Sequence, residues 1–413
     1  MRPSPGTART ARHRAPILIL LAVAATLGCA AREQPLADDS PAEWRPSSET
    51  GEERRPDIVV VVADDLDLRS ARSMPFYQRL AAQGLEFRQH VTRTPVCAPS
   101  RASLLTGLGW ERHGVGVGEK GRSFQTMLEH EQRTLGPLLQ AAGYRTMLAG
   151  KYINATPCNH RPDGWDRWLC VCRSLYDARR YKISNDGRVY WSRVYQTDFL
   201  RDATLEFLRE ADERPTFVYL APPAPHGPMD PPSRHANVDV PPLELPPSFA
   251  ANEAIARSRH RRLMRTSLAL GEMVEAVRDQ LESSDRPWRL IFTVDNGIQQ
   301  GAHGLLHKDV VWEESIRVPL VVLGSDIEPG VRDVQTIHED VAATVLALAG
   351  VAVGDIDGTD LLTAPGHDEV SIRASSSSAV RSTTRKRITW DDGTITTFDL
   401  RNDPYELSPL PTF

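Results

Sequence analysis

From Asp57 the chain runs Ile-Val-Val-Val-Val-Ala without a polar interruption and then stops at Asp64-Asp65. A β-branched run of this kind is the pattern of a strand covered on both faces, as in a parallel sheet, and it leaves the two acids at the strand's carboxyl end. Trp288 to Val294 repeats the design and ends in Asp295-Asn296-Gly297. Two such strands deliver polar side chains to one edge of a sheet. Between them helix and strand character alternates: PFYQRLAAQG then LEFRQHV, TLGPLLQAAG then YRTMLAG, TDFLRDATLEFLREAD then PTFVYLAPPAPH. The helical pieces repeat apolar residues three to four apart, and the strands are short and apolar. A further strand is expected around Val318 to Leu323, and a helix from about Glu339 to Ala349. The alternation predicts an α/β sandwich with a mainly parallel central sheet, helices on both faces, and ligands outside the carboxyl ends of the strands. The end of the chain reads differently. Ser375 to Ser378 is a polar patch, and Lys386 to Leu400 forms a hairpin pattern across Asp392-Gly393, so a small antiparallel subdomain is expected over 351–413, after a main domain over 56–350.

Composition narrows the classes. In 413 residues, 40% apolar and 25% charged with formal net charge −5, there is no basic excess that would point to nucleic acid. Residues 1–29 read as an export signal: an arginine-rich, acid-free start runs into APILILLAVAATLG, too short to span a bilayer comfortably. Its Leu27-Gly28-Cys29-Ala30 ending resembles a bacterial lipobox, which implies cleavage before Cys29 and lipidation there, although Thr26 departs from the pattern. A lipid anchor would then be the protein's only membrane contact, on a cell-envelope lipoprotein; a plain cleaved signal would give a periplasmic or secreted protein. Residues 30–55, rich in Pro, Ser, Glu and Arg, read as a flexible tether. Among the remaining cysteines, Cys158 can pair with Cys170 or with Cys172 in an oxidising compartment, or all three can stay reduced.

Asp64, Asp65 and Asp295, brought together with Asn296, would repel one another unless a cation sat between them. An all-oxygen set suits Ca2+, with Mg2+ as the alternative, and suits zinc poorly. In Thr94 to Gly107, TPVCAPSRASLLTG, Pro99 fits the first turn of a helix that Gly107 can end. Cys97 then lies at the helix N-terminus, where unpaired N–H groups favour an anion, with Arg101 one turn further in. A cysteine nucleophile of lowered pKa would fit this much of the pattern.

CAPSRASLLTG, however, resembles the sulfatase signature Cys-x-Pro-Ser-Arg-x-x-Leu-x-Thr-Gly, in which the cysteine is converted after translation to formylglycine. The resemblance extends in order through PDIVVVVADD, AGKYIN, APPAPHGP, DNGIQQGAHGLLHKDVVWEESIRVPLVV, DGTDLL and TFDLRNDPYEL. It implies the alkaline-phosphatase-like fold, hydrolysis of a sulfated sugar or an aryl sulfate, and a maturation enzyme that reads Cys97, Pro99 and Arg101. It further implies that Asp64, Asp65, Asp295, Asn296 and residue 97 hold the metal, that Lys151, His226 and Lys308 contact the sulfate, and that Arg101 helps spread charge. His226 or Lys308 would protonate the leaving alcohol.

One departure stands out. The usual Gly-Lys-x-His histidine is Ile153 in Gly150-Lys151-Tyr152-Ile153-Asn154, a form similar to the glucosamine-6-sulfatase branch. The base that expels sulfate is then unassigned, with His113 and His226 as candidates; His113 can line the pocket or form a surface turn, and His303 is expected to support its loop. Trp165, Trp168, Tyr176, Tyr181 and Trp191 can stack on sugar rings or serve as core. The competing readings are a phosphomonoester or phosphonate-ester hydrolase on the same fold, an inactive carbohydrate-binding surface protein, and a thiol protein.

Overall fold

A computed structural model describes residues 54–116, 122–210 and 213–411; the signal and nearly all of the tether expected above lie outside them. Among the described residues, no helix is long and apolar enough to cross a membrane.

Ten strands form the central sheet: β1 (Asp57–Ala63), β2 (Leu85–Val91), β3 (Arg145–Gly150), β4 (Arg167–Arg173), β5 (Tyr181–Asn185), β6 (Arg188–Ser192), β7 (Thr216–Ala221), β8 (Trp288–Val294), β9 (Leu320–Gly324) and β10 (Gly330–Ile337). Their order is β10-β2-β9-β8-β1-β7-β3-β4-β5-β6. The two acid-terminated runs are neighbours, parallel and in register from Asp57↔Trp288 to Ala63↔Val294. The sheet is mostly parallel, as the alternation predicts. β9, the strand expected near Val318, instead runs antiparallel between β8 and β2, and β5 and β6 extend the far edge as antiparallel strands.

β1 shows why its run is uninterrupted. Val59, Val61 and Ala63 pack into one apolar layer with residues of the Pro75–Gln83, Gln196–Arg209 and Glu253–Glu282 helices. Ile58, Val60 and Val62 pack into the opposite layer with the Cys97–Thr106, Leu135–Ala141 and His338–Leu348 helices. Each of these side chains is fully buried, which stabilises the fold by roughly 1.5–3 kcal/mol per large residue.

The carboxyl-terminal part is a separate four-stranded antiparallel sheet, β11 (Val370–Ala374), β12 (Ser377–Arg381), β13 (Arg385–Trp390) and β14 (Ile395–Asp399). It is twice the expected hairpin, because the serine patch is the turn of another one and opens its second strand, with Ala374 paired to Ser377. Ile372, Ile388 and Phe398 of this sheet pack with Val91, Val311, Ile316 and Ile337 of the main body.

One buried acid sits in the helical layer. Glu339 is fully buried, with Arg93 and Ser103 each 3.4 Å from one carboxylate oxygen and no partner for the other. Burial pushes its carboxyl up to about 7, with Arg93 opposing only in part. The folded protein therefore keeps a proton that the unfolded chain releases near the ordinary glutamate value, so Glu339's contribution is intact at low pH and is lost as pH rises to 7. Glu339→Gln should gain on the order of 2–3 kcal/mol over the parent between pH 5 and pH 8, read as urea midpoints at the two pH values. An unchanged difference between them would refute this.

Candidate active site

The site forms where β1, β3, β7 and β8 end. Asp295 N–H donates to Ala63 O (3.0 Å) and Lys151 N–H to Ala221 O (2.8 Å), which ties adjacent strand ends together. Gly297 is required beside them, since a Cβ there would lie 2.0 Å from Glu314 O. Asp65 takes the left-handed conformation, φ 62°, which is costly for a non-glycine residue. Held this way, its carboxylate accepts from Asn296 Nδ2 (2.7 Å), and its N–H donates to Asp295 Oδ1 (3.2 Å).

The opening stretch forms the helix Cys97–Thr106, which Gly107 closes at φ 69° with its N–H on Ser103 O. Cys97 is its first residue, buried, with Sγ 3.3 Å from Asp64 Oδ1 and 2.7 Å from Lys308 Nζ. One oxygen from each of Asp64, Asp65 and Asp295 and the Cys97 sulfur all lie within 4.8 Å of one another. Ser100 Oγ donates to Asp295 O at 2.5 Å and stands 3.0 Å from His338 Nδ1, so the signature serine braces the second acid strand.

Cations ring the acids. Arg101, wholly buried, donates from Nε to Asp295 Oδ2 (2.9 Å) and from Nη1 to Lys151 O (3.1 Å). Its Nη2, 3.5 Å from Asp64 Oδ2, has no hydrogen-bond partner among the described residues and is a donor free for an anion. Lys151 Nζ donates to Asp64 Oδ2 at 2.5 Å and lies 3.2 Å from the Tyr176 hydroxyl. Lys308 Nζ bonds Asp65 Oδ1 and is 3.4 Å from Asn296 Oδ1. His226 Nδ1 donates to Gly227 O (2.7 Å), leaving Nε2 3.4 Å from Asp65 Oδ2.

These placements set the charge states. Burial raises the Asp64 carboxyl, but Lys151 and Arg101 outweigh it and hold Asp64 far below the usual carboxylate range. Burial also raises Asp65; Lys308 opposes this and Asp64 adds to it. Burial, reinforced by Asp295 and Asp64, pushes the Cys97 thiol well up, which disfavours a ready thiolate. Three carboxylates and an amide oxygen on one edge are a donor set for a hard divalent ion.

All the residues expected to act together are therefore brought together: Asp64, Asp65, Cys97, Arg101, Lys151, His226, Asp295, Asn296 and Lys308. His113 is not among them. It is buried against Ser103 Oγ (3.3 Å) and the Val115 N–H (2.9 Å), and burial lowers it to about 3, so it neither lines the pocket nor forms a surface turn. His303 stacks on Trp312 at 4.0 Å and supports its loop as expected. Ile153 is buried in an apolar layer. Trp165, Trp168 and Tyr181 are core, whereas Tyr176 belongs to the site, its ring stacked on His226 at 3.7 Å. Cys158 pairs with Cys172, and Cys170 is a buried free thiol. Two contributors had no separate signal in the sequence: His338, a lone histidine opening a helix, and Tyr176, one aromatic among several in its loop.

The chain is similar to known proteins in both sequence and fold. Residues 56–351 match the Sulfatase family model. The chain is 29% identical over 360 residues to the extracellular sulfatase SULF-1 homolog of Drosophila melanogaster, covering 76% of this chain and 32% of that protein. It is 27% identical over 356 residues to the N-acetylglucosamine-6-sulfatase of Homo sapiens, covering 75% and 64%. It thus spans less than two thirds of these relatives' own length. A solved structure described as a complex with its substrate D-glucosamine-2-N,6-O-disulfate has the same fold, with TM-score 0.74 at 20% identity over 86% of this chain and 93% of that one. With the family model covering most of the described main body, the chain belongs to the sulfatase family.

Proposed function

We propose that this chain hydrolyses sulfate esters, of a sulfated sugar before an aryl sulfate. The observation that carries the reading is the convergence of Cys97, three aspartates and Asn296 on one sheet edge, ringed by Arg101, Lys151, His226 and Lys308. The oxygen donors of Asp64, Asp65, Asp295 and Asn296 fit Ca2+, or Mg2+, and that ion would supply charge neutralisation for the anion. Cys97, in its signature and beside the same donors, fits conversion to formylglycine, whose hydrate would supply the nucleophilic oxygen. Arg101 Nη2, Lys151 and Lys308 hold the sulfate oxygens and spread the charge that develops on them. The Nδ1 bond to Gly227 leaves His226 Nε2 as the nitrogen that exchanges a proton with the departing alcohol, and with both His113 ring nitrogens engaged by Ser103 and Val115 it is also the base that the Gly-Lys-x-His form would otherwise provide.

Export fits this reading. The Cys158–Cys172 disulfide suits an oxidising compartment, and Cys29 would be the lipid anchor of a bacterial envelope protein.

The test is release of sulfate from sulfated glucosamine derivatives and from an aryl sulfate by protein made in a host able to mature it, beside the matching phosphate esters. Faster phosphate release would move the assignment to the phosphoester reading. A second result is expected without turnover: Ca2+ at a hundred times its Kd should stabilise the protein by about 2.7 kcal/mol, a chelator should reverse this, and Asp295→Asn should abolish it, all read from the thermal midpoint. A midpoint blind to both divalent ions would remove the metal from the proposal.

A further inference from the structure

The far edge of the sheet carries a feature that the cluster around Cys97 does not use. β4 is parallel to β3, while β5 and β6 alternate in direction. The carboxyl end of β3, which leads into Lys151, therefore lies on the same sheet edge as Arg173 at the end of β4, Lys182 near the start of β5 and Trp191 near the end of β6. With strands about 4.8 Å apart, Trp191 sits roughly 14 Å along that edge from Lys151, more than the width of one sugar ring.

The charge of this segment opposes that of the chain. Residues 173–193 hold six basic side chains and two acidic ones, formally +4, within a protein of net charge −5. Arg179 pairs with Asp230, and Asp186 with Arg161 and Arg167. Arg173, Arg180, Lys182 and Arg193 pair with no carboxylate among the described residues, and Arg173, Arg180 and Arg193 are exposed. Trp191 lies directly across from Lys182 in the β5–β6 register and is 47% exposed on an edge strand, an uncommon position for so large an apolar side chain. Arg180 and Lys182 flank its ring at 5.2 and 5.3 Å from the centroid. A cleft of about 520 Å³, lined by Ser174, Tyr176, Asp177, Pro228 and Asp230 among others, shares Tyr176 with the site.

We propose that this edge is a subsite for an extended sulfated glycan. The sugar bearing the scissile sulfate would lie at the Cys97 cluster, and flanking sugars would run past Tyr176 to stack on Trp191, with their sulfates on Arg180, Lys182 and the neighbouring arginines. The inference rests on the sulfatase reading for the class of chain, and it makes the preferred substrate a polymer or long oligosaccharide rather than a monosaccharide. A single-stranded nucleic acid would also meet an aromatic beside cations. The glycan is favoured because the patch shares its edge with a site built to hold a sulfate.

The experiment uses the full chain with Cys97→Ala, so that binding is read without turnover. A fluorescent heparin-derived oligosaccharide is titrated by anisotropy at two salt concentrations, beside its desulfated form and a single-stranded DNA of equal charge. The triple variant Arg180→Ser, Lys182→Ser, Trp191→Ala should weaken binding of the sulfated chain at least tenfold and flatten its salt dependence, with the thermal midpoint kept. Arg188→Ser, at the other end of the hairpin, should stay within twofold of the parent. Equal affinity of the triple variant and the parent would overturn the proposal. So would an equal loss in Arg188→Ser, or equal binding of the DNA or the desulfated chain. A wild-type protein that binds by this edge and yet releases no sulfate would sink the sulfatase reading alone.

Discussion

On the proposed sulfatase reading, Cys97→Ala is expected to lower sulfate release by at least ~10⁴-fold, because it removes the side chain whose matured form would supply the nucleophile. Stability should hardly move. The side chain is small, it borders polar groups rather than an apolar layer, and the helix it opens is held by Ser100, Arg101 and the Gly107 cap. Active wild-type protein should give a tryptic peptide Thr94–Arg101 carrying an aldehyde or its hydrate at position 97. Full activity with an unmodified thiol in that peptide would refute the nucleophile assignment and reopen the cysteine-based alternatives.

Arg101→Met should have the largest effect on stability. The guanidinium is wholly buried and neutralises Asp295 and Asp64 at once, while its Nη1 fixes the backbone of Lys151. Removing one partner of a buried charge set leaves uncompensated carboxylates, a loss of about 3–5 kcal/mol. Urea unfolding measures it directly. Loss of sulfate release should accompany it, since Nη2 is a donor available to the anion; a variant with a normal urea midpoint and normal turnover would show that Arg101 is only one redundant cation among several.

Much of this site could be read from the chain because the acids stand where apolar runs stop. A strand buried on both faces cannot tolerate a charge, so Asp64 and Asp295 mark the ends of β1 and β8, and two equal endings imply one edge. The helix after Cys97 was legible for a similar reason, with Pro99 and Gly107 as its punctuation. Strand direction was not. Leu320 to Gly324 is as apolar as a parallel strand, and only its pairing shows that it runs the other way. The 30-residue Glu253–Glu282 helix is the largest element without an expectation, because its apolar stripe is broken by the arginine-rich stretch Arg257 to Arg265. His113 shows a third limit: Trp-Glu-Arg-His-Gly can present its histidine to solvent or to the interior, and only its bonds to Ser103 and Val115 decide.

The pairing of β1 with β8 also bears on how the protein becomes functional. Asp64 and Asp295 are adjacent in space but belong to strands joined in register only after most of the chain has been made. Closing a loop of that length costs entropy before any contact is gained, and topologies rich in such distant pairs fold slowly. Cation affinity should therefore arrive late in refolding, together with the central sheet and not with the Cys97 helix. A time course of divalent-cation binding would thus follow formation of the native topology itself.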